Sequence, residues 1–240
     1  MFTLTEGRTS LNFNRFRNFS VSIQEGSLIV KNIITEEEKI QAYRLRHRVF
    51  CEELCWLPQR EDKMEIDNYD KSAVFFGVFD NERRLLAFLR VITPEGLFMI
   101  EREFSFLVRN GYKIRKQNDT VEISRLCVAP ESRNTLILGN FGFHFISVFL
   151  YKGVYHWCIR HKVRYLYFVV ELKIYRLLRS IGFPCKIIGK PKRMPDGVIA
   201  IAGIIDRQEF EALNAIIYPE RRNRLYAISI NPCSIATATA

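Results

Sequence analysis

Hydrophobic and polar positions along the chain follow two different spacings. Apolar residues three or four positions apart predict helices, whereas alternation at every second residue and runs of β-branched residues predict strands. The predicted strands are 27–34, 71–80, 84–93, 120–128, 163–170, 184–189 and 198–204. The predicted helices are 35–54, 138–161, 171–180 and 206–217, with a short helix within 97–108. Helices interleaved with strands, several of them in hairpins, indicate an α/β (α+β) domain with a mixed central sheet.

No internal repeat and no long linker divide the 240 residues. Residues 1–26 show no clear periodicity and are predicted to be an irregular N-terminal extension. Residues 27–220 are predicted to form a single domain, and residues 221–240 a C-terminal tail.

Composition narrows the classes of partner. The formal net charge of +10 favours an acidic partner, which leaves nucleic acid, anionic lipid and an acidic carrier protein open. No helix-turn-helix or RNA-binding signature is present, so nucleic-acid binding without catalysis ranks lowest. Five basic residues are candidates for a carrier-protein surface: Arg133, Lys152, Arg160, Lys162 and Arg164.

The cysteines and the most apolar stretch favour a cytoplasmic protein. None of the six cysteines has zinc-ligand spacing, so we expect no metal and reduced thiols. His144, Lys152 and His156 interrupt the apolar stretch 141–158, which therefore predicts a buried or amphipathic helix rather than membrane insertion.

An arginine interrupts the apolar face of the first predicted helix. Ala42, Leu45, Val49, Phe50 and Leu54 share that face, and Arg46 lies near its middle, with Glu53 alongside. A buried arginine needs an anionic partner, because an unpaired buried charge is very costly. Arg46 is therefore predicted either to form a structural ion pair or to line a cleft. Glu65, Asp67 and Asp70 follow in an acidic loop and are candidate partners.

The strand 120–128 carries charged residues on both faces. Strict alternation places Glu122 and Ser124 on one face, and Arg125 and Cys127 on the other. Glu122 is either part of a structural network or a general base that acts directly or through a water. Cys127 is expected to be a small core residue.

Together these segments resemble the acyl-homoserine-lactone (autoinducer) synthases, a family of the GNAT-like N-acyltransferase superfamily. The resemblance covers residues 28–215 approximately. The segments that carry it are Leu45-Arg46-His47-Arg48-Val49-Phe50, Trp56, Glu65-x-Asp67-x-x-Asp70, Arg90, Glu122-Ile123-Ser124-Arg125 and Leu178-Arg179-Ser180-Ile181-Gly182-Phe183-Pro184.

The resemblance implies a GNAT-like acyltransferase fold with a mixed, mostly antiparallel central sheet flanked by helices. It implies transfer of a fatty acyl group from an acyl carrier protein, or from coenzyme A, to the amine of S-adenosylmethionine. Ring closure then gives the lactone and methylthioadenosine, and no tightly bound cofactor is needed. It also implies that the thioester arm enters a gap between the strand of Glu122 and the strand 163–170.

The resemblance also implies roles for individual residues. Glu122 and Ser124 are the candidate catalytic residues. The candidates for the acceptor side of the cleft are Arg46, Phe50, Trp56, Glu65, Asp67, Asp70, Arg90 and Arg125. Apolar residues that could line an acyl tunnel, or equally form ordinary core, are Phe104, Phe106, Leu107, Phe141, Phe143, Phe145 and Phe149.

The turn after Arg125 departs from the superfamily pattern. It lacks the glycine-rich sequence with which many acetyltransferases bind the coenzyme A pyrophosphate, and only Gly139 and Gly142 lie near. This favours a carrier-protein donor. Related acyltransferases that acylate free amino acids, and those associated with exosortase systems, share the region from Arg46 to Asp70 and remain the alternative to lactone synthesis.

Overall fold

The computed structural model of the protein describes Phe16 and residues 20–139, 142–180 and 182–217. Nine strands form the main sheet in the order β1-β2-β3-β4-β5-β8-β11-β10, with β9 also pairing with β11. The strands are β1 Ser22–Glu25, β2 Leu28–Asn32, β3 Ala73–Phe79, β4 Leu85–Ile92, β5 Thr120–Val128, β6 Leu136–Gly139, β7 Gly142–Phe145, β8 Tyr165–Glu171, β9 Lys186–Ile187, β10 Lys192–Arg193 and β11 Ile199–Asp206. The helices are α1 Glu36–Arg46, α2 Ile146–Arg160, α3 Leu172–Ser180 and α4 Arg207–Ile217, and a π-helix spans His47–Glu53.

Strand pairing confirms the predicted mixed, mostly antiparallel sheet. Among the described strands, β5 and β8 are the only parallel neighbours, and the other pairs are antiparallel. Parallel neighbours need a long crossover, which the segment containing the β6–β7 hairpin and α2 supplies. No helix in the described part of the chain is long and apolar enough to cross a membrane.

Helices cover both faces of this sheet. On one face, α2 packs Phe149, Val154 and Trp157 against the inward residues of β2, β3 and β4. On the other face, α1 and the π-helix pack Ala42 and Phe50 against β3 and β4. Burial of two apolar layers stabilises the domain mainly through the hydrophobic effect.

The first predicted helix forms, but it changes type halfway. Thr35 caps α1 by accepting a hydrogen bond from the Glu38 amide at 3.3 Å, as its sequence predicts. After Arg46 the bonding lengthens to i→i+5, and the Leu54 amide donates to the Val49 carbonyl. Single π-helical turns often mark functional sites.

Two predicted boundaries are wrong. The helix predicted from residue 138 begins at Ile146, because residues 136–145 form the β6–β7 hairpin. Gly139 and Gly142 disfavour a helix there and suit a hairpin turn. Phe141 lies outside the described residues, and so do the side chains of 137–144.

The irregular extension predicted for residues 1–26 is also partly wrong, because Ser22–Glu25 forms β1 against β2. Val21, Ile23 and Glu25 alternate toward the interior, and Glu25 is ion-paired with Lys152 of α2. β1 has only four residues, which are too few for the alternation of side chains to predict a strand from the sequence. The predicted tail 221–240 lies outside the described residues.

Smaller differences concern short elements. The short helix predicted within 97–108 is two 3₁₀ turns, Met99–Glu101 and Ser105–Leu107. The two-residue strand β10 was not predicted. Gly182 ends α3 as expected, with a φ of 91° that favours glycine.

Candidate active site

A β-bulge in β5 sets the geometry of the site. Arg90 pairs with Ser124, and Phe88 pairs with Cys127, so one residue of β4 faces two residues of β5. Arg125, one of the two, has a φ of +54° in the left-handed region. Such a bulge reverses the alternation of side chains along the strand.

The predicted faces beyond the bulge are therefore wrong. Strict alternation placed Arg125 and Cys127 opposite Glu122. Instead, Cys127 packs with Phe50 and Phe88 on the face that carries Glu122, although it is a core residue as expected. The bulge aims Arg125 at the acidic loop on that same face.

Arg46 is buried at the centre of an ionic cluster. Its Nε donates to Glu65 at 2.5 Å, and its Nη1 donates to Asp70 at 2.9 Å. Its Nη2 lies 3.9 Å from Asp67. All three carboxylates of the predicted acidic loop therefore surround Arg46. Glu53, which was predicted to lie with Arg46, is exposed and pairs with Arg133 instead.

Two further arginines complete the cluster. Arg90 Nη1 donates to Asp67 at 2.5 Å and to Asp70 at 2.6 Å, and Arg90 Nε donates to Ser124 Oγ at 2.9 Å. Arg125 donates to Glu65 at 3.1 Å and to Asp67 at 3.0 Å. We call Arg46, Arg90, Arg125, Glu65, Asp67 and Asp70 the acceptor cluster.

The acceptor cluster balances three positive charges with three negative ones. Burial alone raises the pKa of Glu65, but the charges and hydrogen bonds of Arg46 and Arg125 outweigh it and hold the pKa at about 2. The Glu65 carboxylate therefore stays ionised at neutral pH. In the described part of the chain, no group of histidine, cysteine and carboxylate side chains is arranged to hold a metal ion.

One edge of the acceptor cluster is open. Arg125 and Asp67 retain 14% and 20% side-chain exposure, whereas Arg46 and Arg90 are fully buried. Beside them, Trp56 is 43% exposed and stacks on Phe50 with ring centroids 6.2 Å apart. The Arg125 guanidinium lies 5.6 Å from the Phe50 ring centre. Aromatic rings beside mixed charge suit a ligand with both apolar and charged parts.

Glu122 is buried beneath this edge. Its two carboxylate oxygens accept hydrogen bonds from the Met99 and Ile100 amides at 2.5 and 3.0 Å. Burial raises the pKa of Glu122 to about 8, against the lowering influence of the two amides and of Arg90. The carboxylate thus anchors the turn that carries Met99.

Met99 is a residue that the sequence interpretation missed. Its sulfur lies 3.2 Å from Arg90 Nη2 and 3.7 Å from Arg125 Nη1, so it contacts the two arginines that flank the open edge. A lone methionine before an irregular turn carries no sequence signal for such a position.

The predicted gap between strands is present beside the acceptor cluster. Pairing of β5 with β8 covers only Thr120–Ile123 and Tyr165–Phe168. Beyond it, Ser124–Val128 and Val169–Glu171 face each other with no described strand between them. Unpaired backbone groups of two splayed strands therefore border the gap.

The predicted basic surface does not form as a unit. Lys152 is buried against Glu25, Arg133 pairs with Glu53, and Arg164 pairs with Asp206. Arg160 and Lys162 remain exposed.

The apolar candidates are likewise not brought together. Phe149 packs on the α2 face, Leu107 packs on the opposite face, and Phe106 and Phe145 are exposed. For Phe149 and Leu107 this agrees with the alternative expectation, ordinary core packing, and Phe141 and the side chain of Phe143 lie outside the described residues.

A nine-stranded sheet that splays beside a charged, aromatic-edged site defines a GNAT-like acyltransferase. The sequence model of the autoinducer synthase family matches residues 31–213. The chain therefore belongs to the autoinducer synthase family, and it is an enzyme.

Individual relatives agree with this family. An acyl-homoserine-lactone synthase of Rhizobium radiobacter is 29% identical over 176 residues, which cover 71% of this chain and 80% of that protein. The crystal structure of the synthase LasI matches with a TM-score of 0.65 at 20% identity, covering 81% of this chain and 96% of LasI. The coenzyme A-dependent synthase BjaI, solved with S-adenosylmethionine and isopentyl-CoA, matches with a TM-score of 0.61 at 23% identity over 73% of this chain and 80% of BjaI. These structural likenesses support the GNAT-like fold.

Proposed function

We propose that this enzyme transfers a fatty acyl group from an acyl-carrier-protein thioester to the α-amine of S-adenosylmethionine. The products are an N-acyl-homoserine lactone, methylthioadenosine and the free carrier thiol. The observation that carries the proposal is the open edge of the acceptor cluster beside the gap between β5 and β8. Both substrates are cytoplasmic compounds, so the proposal places the enzyme in the cytoplasm.

The open edge matches the chemistry of the proposed acceptor. S-adenosylmethionine carries a carboxylate, an ammonium, a sulfonium and an aromatic adenine. Arg125 can bind the carboxylate and Asp67 the ammonium, while the Trp56 and Phe50 rings suit the sulfonium or the adenine. The structure of BjaI, solved with S-adenosylmethionine, supports the choice of S-adenosylmethionine as acceptor, whereas the assignment of residues rests on the geometry of the open edge.

The chemistry proceeds in two steps. In the first, the neutral amine attacks the thioester carbonyl, a C–N bond forms, and the C–S bond breaks to release the carrier thiolate. Glu122 takes the ammonium proton through a water, the nitrogen loses a second proton as the amide forms, and the thiolate takes up that second proton. In the second step, the acceptor's carboxylate attacks the carbon next to its sulfonium, which closes the ring and expels methylthioadenosine.

Two groups are assigned to the first transition state. Ser124 Oγ accepts a hydrogen bond from Arg90, which leaves its own O–H free to donate. Together with backbone N–H groups of the splayed strands, it can stabilise the oxyanion. Glu122, with its pKa raised to about 8, is a stronger base than an ordinary carboxylate.

The turn after β5 supports a carrier protein over coenzyme A. Pro130 has no N–H to donate to a phosphate, and Glu131, which pairs with Arg48, adds a carboxylate to the turn that directly follows β5. A carrier-bound arm brings a single phosphodiester instead. We expect kcat/KM for an acyl-carrier protein to exceed that for the matching acyl-coenzyme A at least tenfold; equal values would reject this part of the proposal.

The acceptor is tested by mass spectrometry of the products. With octanoyl-carrier protein and S-adenosylmethionine, the proposal expects octanoyl-homoserine lactone and methylthioadenosine in equal amounts. An acylated free amino acid without methylthioadenosine would instead establish the alternative, an N-acyl amino acid synthase. Glu122→Gln and Ser124→Ala should each lower kcat, on the order of 10²-fold or more for Glu122. Glu103→Gln, a nearby carboxylate bonded to Tyr69, serves as the matched control.

A further inference from the structure

A second charged surface lies on two loops that the proposed reaction does not use. It consists of the exposed cations Arg109, Lys113, Lys190, Lys192 and Arg193 around the exposed ring of Phe106. We call it the basic loop surface.

Direct contacts join the two loops into one surface. The Arg109 amide donates to the Ile188 carbonyl at 3.1 Å. Lys192 Nζ lies 5.3 Å from the centre of the Phe106 ring. Gly189 passes so close to the Leu107 carbonyl that a side chain there would collide with it. These contacts fix the spacing of the cations.

Within the described part of the chain, no carboxylate neutralises the charges of the basic loop surface. Segments 104–113 and 186–193 contain no Asp or Glu. Among the described residues, no carboxylate lies within 4.0 Å of any of the five cations. The nearest acidic residues along the chain are Glu103, which is bonded to Tyr69, and Asp196 at the turn after β10. This contrasts with Arg133, Lys152 and Arg164, which are all paired.

We propose that the basic loop surface binds the surface of an anionic lipid bilayer. Lipid phosphates and carboxylates can satisfy cations spread over two loops without a matching groove. Phe106, with 42% of its surface exposed, can enter the headgroup region while Lys192 beside it stays in water. A single-stranded nucleic acid can also stack a base on an exposed ring among cations, so DNA binding is one of the outcomes that the test distinguishes.

The inference is independent of the proposed reaction, so it is tested without catalysis. The full-length protein is sedimented with vesicles of phosphatidylcholine alone, and with vesicles containing about 30% phosphatidylserine. We expect binding to the anionic vesicles only, and we expect it to weaken as salt rises. Each cation near a membrane contributes about fivefold, so Lys190→Gln with Lys192→Gln should weaken binding about 25-fold.

Matched variants separate a local surface from net charge. Arg160→Gln with Lys162→Gln removes two exposed cations elsewhere and should change vesicle binding less than twofold. Phe106→Ser should weaken binding several-fold while leaving its salt dependence unchanged. Thermal unfolding of each variant checks that it is folded.

Three results would overturn the proposal. One is equal binding to neutral and anionic vesicles. Another is an equal loss of vesicle binding in the two double variants, which would show that binding depends on net charge and not on this surface. The third is that the Lys190/Lys192 variant still binds anionic vesicles but no longer binds DNA or acyl-carrier protein. That result would assign the surface to the partner whose binding is lost.

Discussion

Two groups of buried, oppositely charged side chains in this enzyme differ in their exposure to solvent. The pair of Glu25 and Lys152 joins β1 to α2 and is closed on all sides. The acceptor cluster joins six charged residues and opens at Arg125 and Asp67. Residues 31–213 match the family, so the closed pair includes a residue, Glu25, outside the matched region. Both sites bury charge, so an open, aromatic edge is what distinguishes the acceptor cluster, and it is the basis on which we propose the acceptor site there.

Removing Arg46 should have the largest effect on stability. Arg46→Ala leaves Glu65 and Asp70 buried without one of their partners, which typically costs about 3–5 kcal/mol. Urea unfolding measures this difference. Arg44→Ala, an exposed position one residue from α1's buried stripe, is the control and should change stability by less than about 0.5 kcal/mol. Similar losses of unfolding free energy in the two variants would mean that the ion pairs of Arg46 do not stabilise the fold.

The closed pair should respond differently to double substitution. Lys152→Met or Glu25→Leu alone strands a buried charge and should cost about 3 kcal/mol or more. The double variant replaces both ions with apolar groups and should recover most of that loss. Turnover should match the parent enzyme in the double variant. If the double variant regained stability but lost turnover, the ion pair of Glu25 with Lys152 would contribute to activity as well as to stability.

Glu122 should give the enzyme a distinctive pH dependence. Its pKa is raised from 4.5 to about 8 in the folded protein, so its contribution to stability is full below about pH 4.5 and is lost as pH rises toward 8. Relative to Glu122→Gln, the parent should lose about 1.4 kcal/mol of unfolding free energy per pH unit across that window. If the unfolding free energies of the two proteins changed in parallel with pH, the Glu122 carboxyl would be ionised throughout this range. Its two amide donors favour that form.

Glu65 should act in the opposite direction at low pH. Its pKa is lowered to about 2, so its contribution is full above about pH 4.5 and is lost as pH falls toward 2. Acid unfolding of the parent should therefore be steeper than that of Glu65→Gln in this range. The control is Lys116→Gln, which removes an ion pair with Glu101 and leaves the acceptor cluster intact. It should not alter the slope of the acid-unfolding curve.

The sequence predicted most of this fold because its apolar periodicity and turn residues are local signals. The strand from Thr120 to Val128, the helix from Glu36 and the pairing of Arg46 with the acidic loop all follow from residue spacing. Three features did not follow. The bulge at Arg125 requires a backbone angle that the sequence does not announce, the β6–β7 hairpin competes with a helical apolar pattern, and β1 is visible only through its long-range partners.

Trp56 allows the proposed acceptor site to be tested without disturbing the fold, because it belongs to the open edge and not to the buried core. S-adenosylmethionine is titrated calorimetrically into the parent and into Trp56→Ala, with Leu177→Ala, at 54% exposure against 43% for Trp56, as the apolar control on α3. We predict that Kd rises about tenfold in Trp56→Ala, the equivalent of about 1.4 kcal/mol, with the melting temperature nearly unchanged and the control unaffected. Unchanged affinity in a folded Trp56→Ala protein would contradict the assignment of the acceptor site to this edge.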